Sequence, residues 1–268
     1  MTQSEHTHLP DIAGLKRFFV PIAEPLNHFP VELEVTDDFV VRHLATVIRA
    51  KPGESVIITD DQRETAYLAQ IQSLQKKAVT FTVTDFLQQQ PDPLPNITLA
   101  VALIKEQRWD WLLQKATELG VRTIQPLFSE RCIIRLSTHD IPKKLERWGN
   151  VVRSAAEQSE GLFIPALLPP VSLTEFLAQQ AQTDSSPTKR IVLMERGENR
   201  QPLKSYLTQS KPNQSIILAI GPEGGWTAAE QKHFEESGFH EASIGQRILR
   251  SETAAIAAIC AVVSEFTS

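Results

Sequence analysis

The chain has 268 residues, with 41% apolar and 22% charged side chains and a formal net charge of −5, a balance suited to globular domains with a sizeable core. No apolar run reaches the length of a membrane span, and Met1 to Gly14 carries neither the basic nor the apolar stretch of an export signal, so a cytoplasmic protein is expected. The negative charge argues against indiscriminate coating of nucleic acid, and Cys132 and Cys260, far apart and outside any C-x-x-C pattern, propose neither a disulfide framework nor a zinc site.

Residues 1–14 read as a polar tail. Its His6 and His8 have no further ligands nearby, and no metal is expected. Over 15–89, short strands at Lys16 to Val20, Val31 to Val35, Ser55 to Thr59, Thr65 to Ile71 and Ala78 to Thr84 surround one helical stretch, Asp38 to Arg49, the pattern of a small β-barrel domain. Residues 1–90 hold eight Lys or Arg against twelve Asp or Glu, so any polyanion contact there must come from a few side chains. Gln88 to Pro95 is polar and proline-rich, and a stiff linker is predicted over 90–96.

The period then changes. Strand Ile97 to Ile104 leads to a helix over Arg108 to Leu119, with Gly120 as its C′ residue. Trp109, Leu112, Leu113, Ala116 and Leu119 fall on one helical face and are core candidates. After a strand at Val121 to Leu127, the segment 131–153 holds six Lys or Arg, Arg131, Arg135, Lys143, Lys144, Arg147 and Arg153, against Asp140 and Glu146. That excess of four positive charges is either a local anion-binding patch or an ordinary solvated face of the helix Pro142 to Gln158.

Strand Ile164 to Leu168, a capping-box helix from Ser172 to Glu175, a loose loop at 181–189 and strand Arg190 to Met194 continue the alternation, with Glu195-Arg196-Gly197-Glu198 at the last strand's end. Alternating βα units over 97–268 predict a mostly parallel sheet with helices on both faces. Two strand-loop-helix units close the chain. Ile216 to Ile220 runs into Gly221-Pro222-Glu223-Gly224-Gly225-Trp226 and a helix opened by the capping box Thr227 to Glu230. Ala242 to Ile244 runs into Gly245 to Arg250 and a helix from Thr253 to Val263, with Ser251 as the expected N-cap.

Both loops are expected at the carboxyl ends of adjacent strands, where open α/β sheets bind ligands. The GPEGG segment is either a tight turn or a ligand loop, and it matches neither G-x-G-x-x-G nor a P-loop.

GPEGGWTAAE followed by IGQRILRSETAAIAA resembles the paired signature of the SPOUT-class methyltransferases that modify uridine N3 of small-subunit ribosomal RNA. Lys105 to Gly120 with its KATELGV ending, Ser129-Glu130-Arg131 and Glu157-Gln158-Ser159 resemble further segments of that family. Where relatives commonly carry an Arg soon after, this chain has Glu160-Gly161-Leu162. Arg17 to Val20, His43 to Arg49 and the Lys51 to Glu54 turn resemble its PUA-like RNA-binding domain.

The resemblance implies an α/β domain whose C-terminus is threaded into a trefoil knot, preceded by the PUA-like barrel. It implies S-adenosylmethionine held by Leu193, Met194, Glu195, Ile220, Gly221, Pro222, Gly224, Gly225, Ile244, Gly245, Ile248 and Leu249. RNA contacts fall to Arg17, His43, Arg49, Lys51, Lys105, Arg131 and Arg135, with His43 equally readable as packed on the barrel. For catalysis, Arg250 or Arg247 would stabilise the uridine anion while Glu223 or Glu252 orients the base or accepts the proton; either glutamate could instead hold the loop together. The implied partners are small-subunit ribosomal RNA or the 30S particle and a second copy of the chain. Competing readings are ribose 2′-hydroxyl or another RNA position as target, a non-catalytic ribosome-assembly factor, and an enzyme using GPEGG as an anion loop.

Overall fold

A computed structural model describes residues 12, 14–87, 94–182, 188–197, 200–208 and 214–267. The pair His6 and His8, most of the proline-rich linker, the centre of the 181–189 loop and Glu198 lie outside the described residues. The chain divides into two compact units, 1–90 and 91–268.

The first unit contains β1 (Arg17–Phe19), β2 (Val31–Val35), α1 (Asp38–Arg42), β3 (Ser55–Asp60), β4 (Thr65–Leu74) and β5 (Val79–Leu87). They pair in the order β1-β3-β4-β5-β2, antiparallel except for β1 with β3. Phe18, Val56, Ile58, Ile71, Phe81 and Val83 fill the core with Val40 and Leu44 of the helical stretch. That stretch is not one α-helix, as predicted. After Arg42 it widens into a π-helical turn over His43–Ile48 and ends at Arg49 in the left-handed region, φ 54°. The Thr46 hydroxyl donates to the Arg42 carbonyl at 2.7 Å, and such a back-bond competes with the helical ladder and bends it.

The second unit runs β6 (Ile97–Ala102), α2 (Glu106–Glu118), β7 (Thr123–Phe128), α3 (Ile141–Gln158), β8 (Ala166–Leu167), β9 (Val171–Ser172), α4 (Leu173–Gln182), β10 (Thr188–Leu193), β11 (Gln201–Pro202), α5 (Leu203–Leu207), β12 (Ser215–Ile220), α6 (Ala228–Glu236), β13 (His240–Ser243) and α7 (Ser251–Phe266). Its strands pair in parallel in the order β11-β13-β10-β12-β6-β7-β8, with β9 also on β7.

The alternation of side chains along these strands explains the two helical layers. Ile216, Leu218 and Ile220 share a core with Leu112, Leu113, Val152, Leu203 and Ile259, from α2, α3, α5 and α7. Ile217 and Ala219 face the other way, onto Phe176 of α4 and Phe234 of α6. Burial on both faces is why such strands read as unbroken apolar runs.

Local signals held at several helix ends. Gly120 has φ 80°, and the Val121 amide donates to Ala116 while the Gly120 amide donates to Thr117, closing α2 in a Schellman pattern. Both capping boxes form, Thr227 with Glu230 and Ser172 with Glu175. Ser251, however, is the first helical residue of α7, and Arg250 occupies the N-cap position without a side-chain cap bond.

The strand order corrects one expectation. β12 and β13 are not neighbours, because β10 lies between them. The last strand, β13, sits between β10 and β11, both of which precede it. The C-terminal segment thus occupies a place flanked by chain laid down earlier, as a threaded C-terminus requires.

Candidate functional site

The insertion of β10 makes a third strand end part of the site. Val192 pairs with Ala219 and Leu193 with Ala242, so the three parallel strands finish level and their following loops emerge side by side. The Met194 amide donates to the Ala242 carbonyl at 2.9 Å, and Arg200 donates to the Glu195 carbonyl, fixing the loop after β10.

Between these ends lies a cavity of about 280 Å³, near the lower end of ordinary small-ligand pockets, roughly 300–1,000 Å³. Of the residues predicted to hold a ligand, Leu193, Met194, Glu195, Ile220, Gly221, Pro222, Gly224, Gly225, Ile244, Gly245 and Leu249 line it. Ile248 does not; it is 59% exposed, because the loop turns its neighbour Leu249 inward instead. Arg247 is on the cavity wall, whereas Arg250 is exposed at the start of α7 and outside the lining.

The glycines are required for different reasons. A Cβ on Gly221 would stand 3.1 Å from the Trp226 ring, and one on Gly224 would stand 3.2 Å from Arg131 Cβ. Gly225 has φ 67°, a conformation costly for residues with a Cβ. At Gly245 a Cβ would meet no atom within 4 Å, so that backbone borders open space.

The glycine loop is held from two sides. Arg131 Nη1 donates to the Gly224 carbonyl at 2.8 Å. The preceding amide, of Glu130, donates at 2.9 Å to Glu230 Oε1, whose other oxygen accepts from Thr227 at 2.8 Å in the capping box. Arg135 donates to the carbonyls of Ser129 and Glu130, within the segment that follows β7. Thus Arg131, predicted for RNA contact, also braces the glycine loop and lines the cavity, while Arg135, predicted likewise, braces the segment after β7.

Glu223 points away from the cavity lining. Its carboxylate pairs with Arg108 near the start of α2, and Arg108 Nε lies 3.6 Å from Glu252 Oε1. Sequence reading missed Arg108 because its partner stands 115 positions away. It also missed Trp226, Ser243, Ser251 and Ala254 in the lining, although Trp226 belongs to the quoted loop. The Trp226 ring packs edge-on against Phe234 at 4.8 Å.

Across the glycine loop, a shallow cleft is lined by Leu103, Ile104, Lys105, Arg131, Ile133, Ile134, Pro222 and Glu223. Two predicted RNA-contact cations, Lys105 and Arg131, meet there.

Of the six cations in 131–153, Lys144, Arg147 and Arg153 are ion-paired, which favours the solvated-face alternative for that half of them. Lys144 pairs with Glu106 at 2.8 Å, Arg147 grips Asp110 through both nitrogens at 2.7 and 2.9 Å, and Arg153 lies 3.5 Å from Glu157. The Lys144 hydrogen bond and charge, with Arg147 beside it, hold the Glu106 carboxyl below its ordinary value. The Lys144 and Arg147 pairs fasten α3 to α2, while Arg153–Glu157 lies within α3.

In the first unit, Arg17 is only 5% exposed, with Nη1 3.5 Å from Thr59 Oγ1. Its place in a core strand makes it structural rather than a surface contact. His43 is half-buried against Phe18 and Phe39, at 6.0 and 5.5 Å, the packed alternative. Arg49 and Lys51 are exposed.

The donor set fits S-adenosylmethionine. Leu193, Ile220, Ile244 and Leu249 offer an apolar wall, glycine backbone allows close approach, and Glu195 with Arg131 and Arg196 supplies both signs of charge for an amino-acid end and a sulfonium.

Comparison with known proteins agrees. Residues 90–263 match the family model of the RNA methyltransferase domain, and residues 36–84 match that of the RNA methyltransferase PUA domain. The ribosomal RNA small subunit methyltransferase E of Synechocystis sp. is 34% identical over 222 residues, 83% of this chain and 70% of that protein. The protein of the same name from Bacillus subtilis is 27% identical over 251 residues, 92% and 96% of the two chains. The crystal structure of ribosomal RNA small subunit methyltransferase E from Neisseria gonorrhoeae, bound to S-adenosyl methionine, is 34% identical with a TM-score of 0.77, covering 92% of this chain and 96% of that one. A Legionella pneumophila structure in complex with the same cofactor is 29% identical with a TM-score of 0.80, covering 93% and 97%.

Proposed function

We propose, for a chain that belongs to the RNA methyltransferase family by its match over 90–263, methylation of small-subunit ribosomal RNA with S-adenosylmethionine, at ring N3 of a uridine. The observation that carries this reading is the convergence of three parallel strand ends on one glycine-lined cavity, in a chain 34% identical to a relative solved with that cofactor bound.

When bound, the cofactor supplies an electrophilic methyl group on a sulfonium centre. Leu193, Ile220, Ile244 and Leu249 would hold its adenine, and the Gly221 to Gly225 backbone would approach it closely. The uridine N3–H bond would give up its proton to solvent, and as the N3–C bond formed the methyl–sulfur bond would break with its electron pair going to sulfur, giving S-adenosylhomocysteine. As the proton leaves, negative charge spreads to the flanking carbonyl oxygens. Arg247, on the cavity wall, is the cation we assign to that charge, in preference to Arg250; a cation preset where charge develops lowers the barrier directly. Glu223 and Glu252, both facing Arg108, are assigned to holding the loops.

RNA contact is assigned to Lys105, Arg131 and Arg135 in the second unit, and to the exposed Arg49 and Lys51 in the first. We further propose a homodimer in the cytoplasm. Among the described residues no helix is long and apolar enough to cross a membrane. Light scattering at working concentration tests the dimer; a monomer mass would refute it.

The deciding experiment is nucleoside mass spectrometry of small-subunit RNA from cells with and without this protein. Loss of one base-methylated uridine is expected. Loss of a ribose-methylated nucleoside instead, or no change, overturns the assignment.

A further inference from the structure

Among the described residues Arg108 is the cation that faces both Glu223 and Glu252, and those two residues adjoin different walls of the cavity without lining it. Glu223 lies between Pro222 and Gly224, which line it on the β12 side; Glu252 follows Ser251, which lines it on the α7 side. The Glu252 residue is 8% exposed, and its Oε2 has no hydrogen-bond partner among the described residues. A buried carboxylate depends strongly on a nearby cation. Without Arg108, two carboxylates would face each other with nothing between them, and their repulsion would part the glycine loop from the first turn of α7.

We propose that Arg108 is a positioning residue that clamps the glycine loop to α7 and thereby sets how tightly the cavity grips S-adenosylmethionine. The inference rests on the S-adenosylmethionine reading above. It assigns Arg108 no contact with the reacting atoms: the guanidinium acts through Glu223 and Glu252, and its planar fork serves two carboxylates where a lysine ammonium is a single point charge.

Calorimetric titration of S-adenosylhomocysteine into the full-length protein tests it. Arg108→Ala is expected to raise Kd roughly tenfold, the effect of about one decade in binding. Adding Glu223→Gln to Arg108→Ala removes the repulsion and is expected to recover most of that loss. Arg108→Lys should fall between wild type and Arg108→Ala, and keeps the test open should the alanine variant fail to fold. A merely structural role would lower the melting temperature of single and double variants alike without rescue of affinity. Wild-type Kd in Arg108→Ala and Arg108→Lys, or a double variant binding no better than Arg108→Ala, overturns the clamp. Absence of binding by the wild type would instead refute the cofactor reading.

Discussion

Glu230 is the test of how the second unit joins a helix cap to its ligand loop. Its carboxylate is 4% exposed and accepts two backbone amides, from Thr227 at 2.8 Å and from Glu130 at 2.9 Å. Replacing it with alanine removes a cap reciprocated by Thr227, a loss of about 0.5–2 kcal/mol. It also leaves the Glu130 amide without its charged acceptor, worth about 1.5–3 kcal/mol for a bond to an ionised group. Water reaching the half-exposed Thr227 end offsets part of this, so a net loss of about 2–4 kcal/mol is expected. For a unit of this size each kcal/mol moves the melting midpoint by roughly 2–4 °C. Thermal unfolding followed by circular dichroism should therefore show Glu230→Ala melting roughly 5–15 °C below wild type. Glu230→Gln should fall nearly as far, because one of the two amides would then face an N–H rather than an acceptor. A drop under about 2 °C in both variants would mean that these bonds are not made in solution.

Gly245→Ala should weaken S-adenosylhomocysteine binding by roughly tenfold, the low end of a 1–3 kcal/mol overpacking cost, with an unchanged melting temperature, since its Cβ would touch only open space; Gly224→Ala should lower the melting temperature as well, because its Cβ would press on Arg131. Equal behaviour of the two variants would count against the distinction. Arg247→Ala should lower turnover by roughly 10²-fold, as for loss of one preset charge-stabilising group, while titration shows cofactor affinity within about threefold of wild type; unchanged turnover removes Arg247 from the chemistry. The Glu106 carboxyl, held down by Lys144 and Arg147, favours the folded state above the ordinary carboxylate pKa and loses that contribution as pH falls through its depressed value. Being exposed, it contributes no more than about 1 kcal/mol. Urea titrations at pH 7 and at acid pH should show Glu106→Gln less stable than wild type at pH 7, with the gap narrowing as the pH is lowered; a gap that does not narrow contradicts the assignment.

Much of the site was legible because short-range chemistry wrote it. Thr227 and Glu230, three residues apart, announced their helix, Gly120 its end, and the apolar runs Ile216 to Ile220 and Arg190 to Met194 their place inside a two-faced sheet. The loop residues after those strands then lined one cavity. What stayed hidden was set by partners distant in sequence. The positive charges of 131–153 stood open between an anion-binding patch and a solvated face until Glu106 and Asp110 were found against Lys144 and Arg147. Arg17 and Ile248 exchanged their expected environments, one buried in a strand and the other turned to solvent.

The sequence by itself determined the elements, their caps and the loops able to approach a ligand, since these follow from side-chain period and from interactions within a few residues. The tertiary structure alone decided that β10 lies between β12 and β13, that Arg108 answers both Glu223 and Glu252, and that Glu230 reaches Glu130 across 100 positions. Strand order and long-range charge pairing depend on how the whole chain closes around its core, and no local period encodes them.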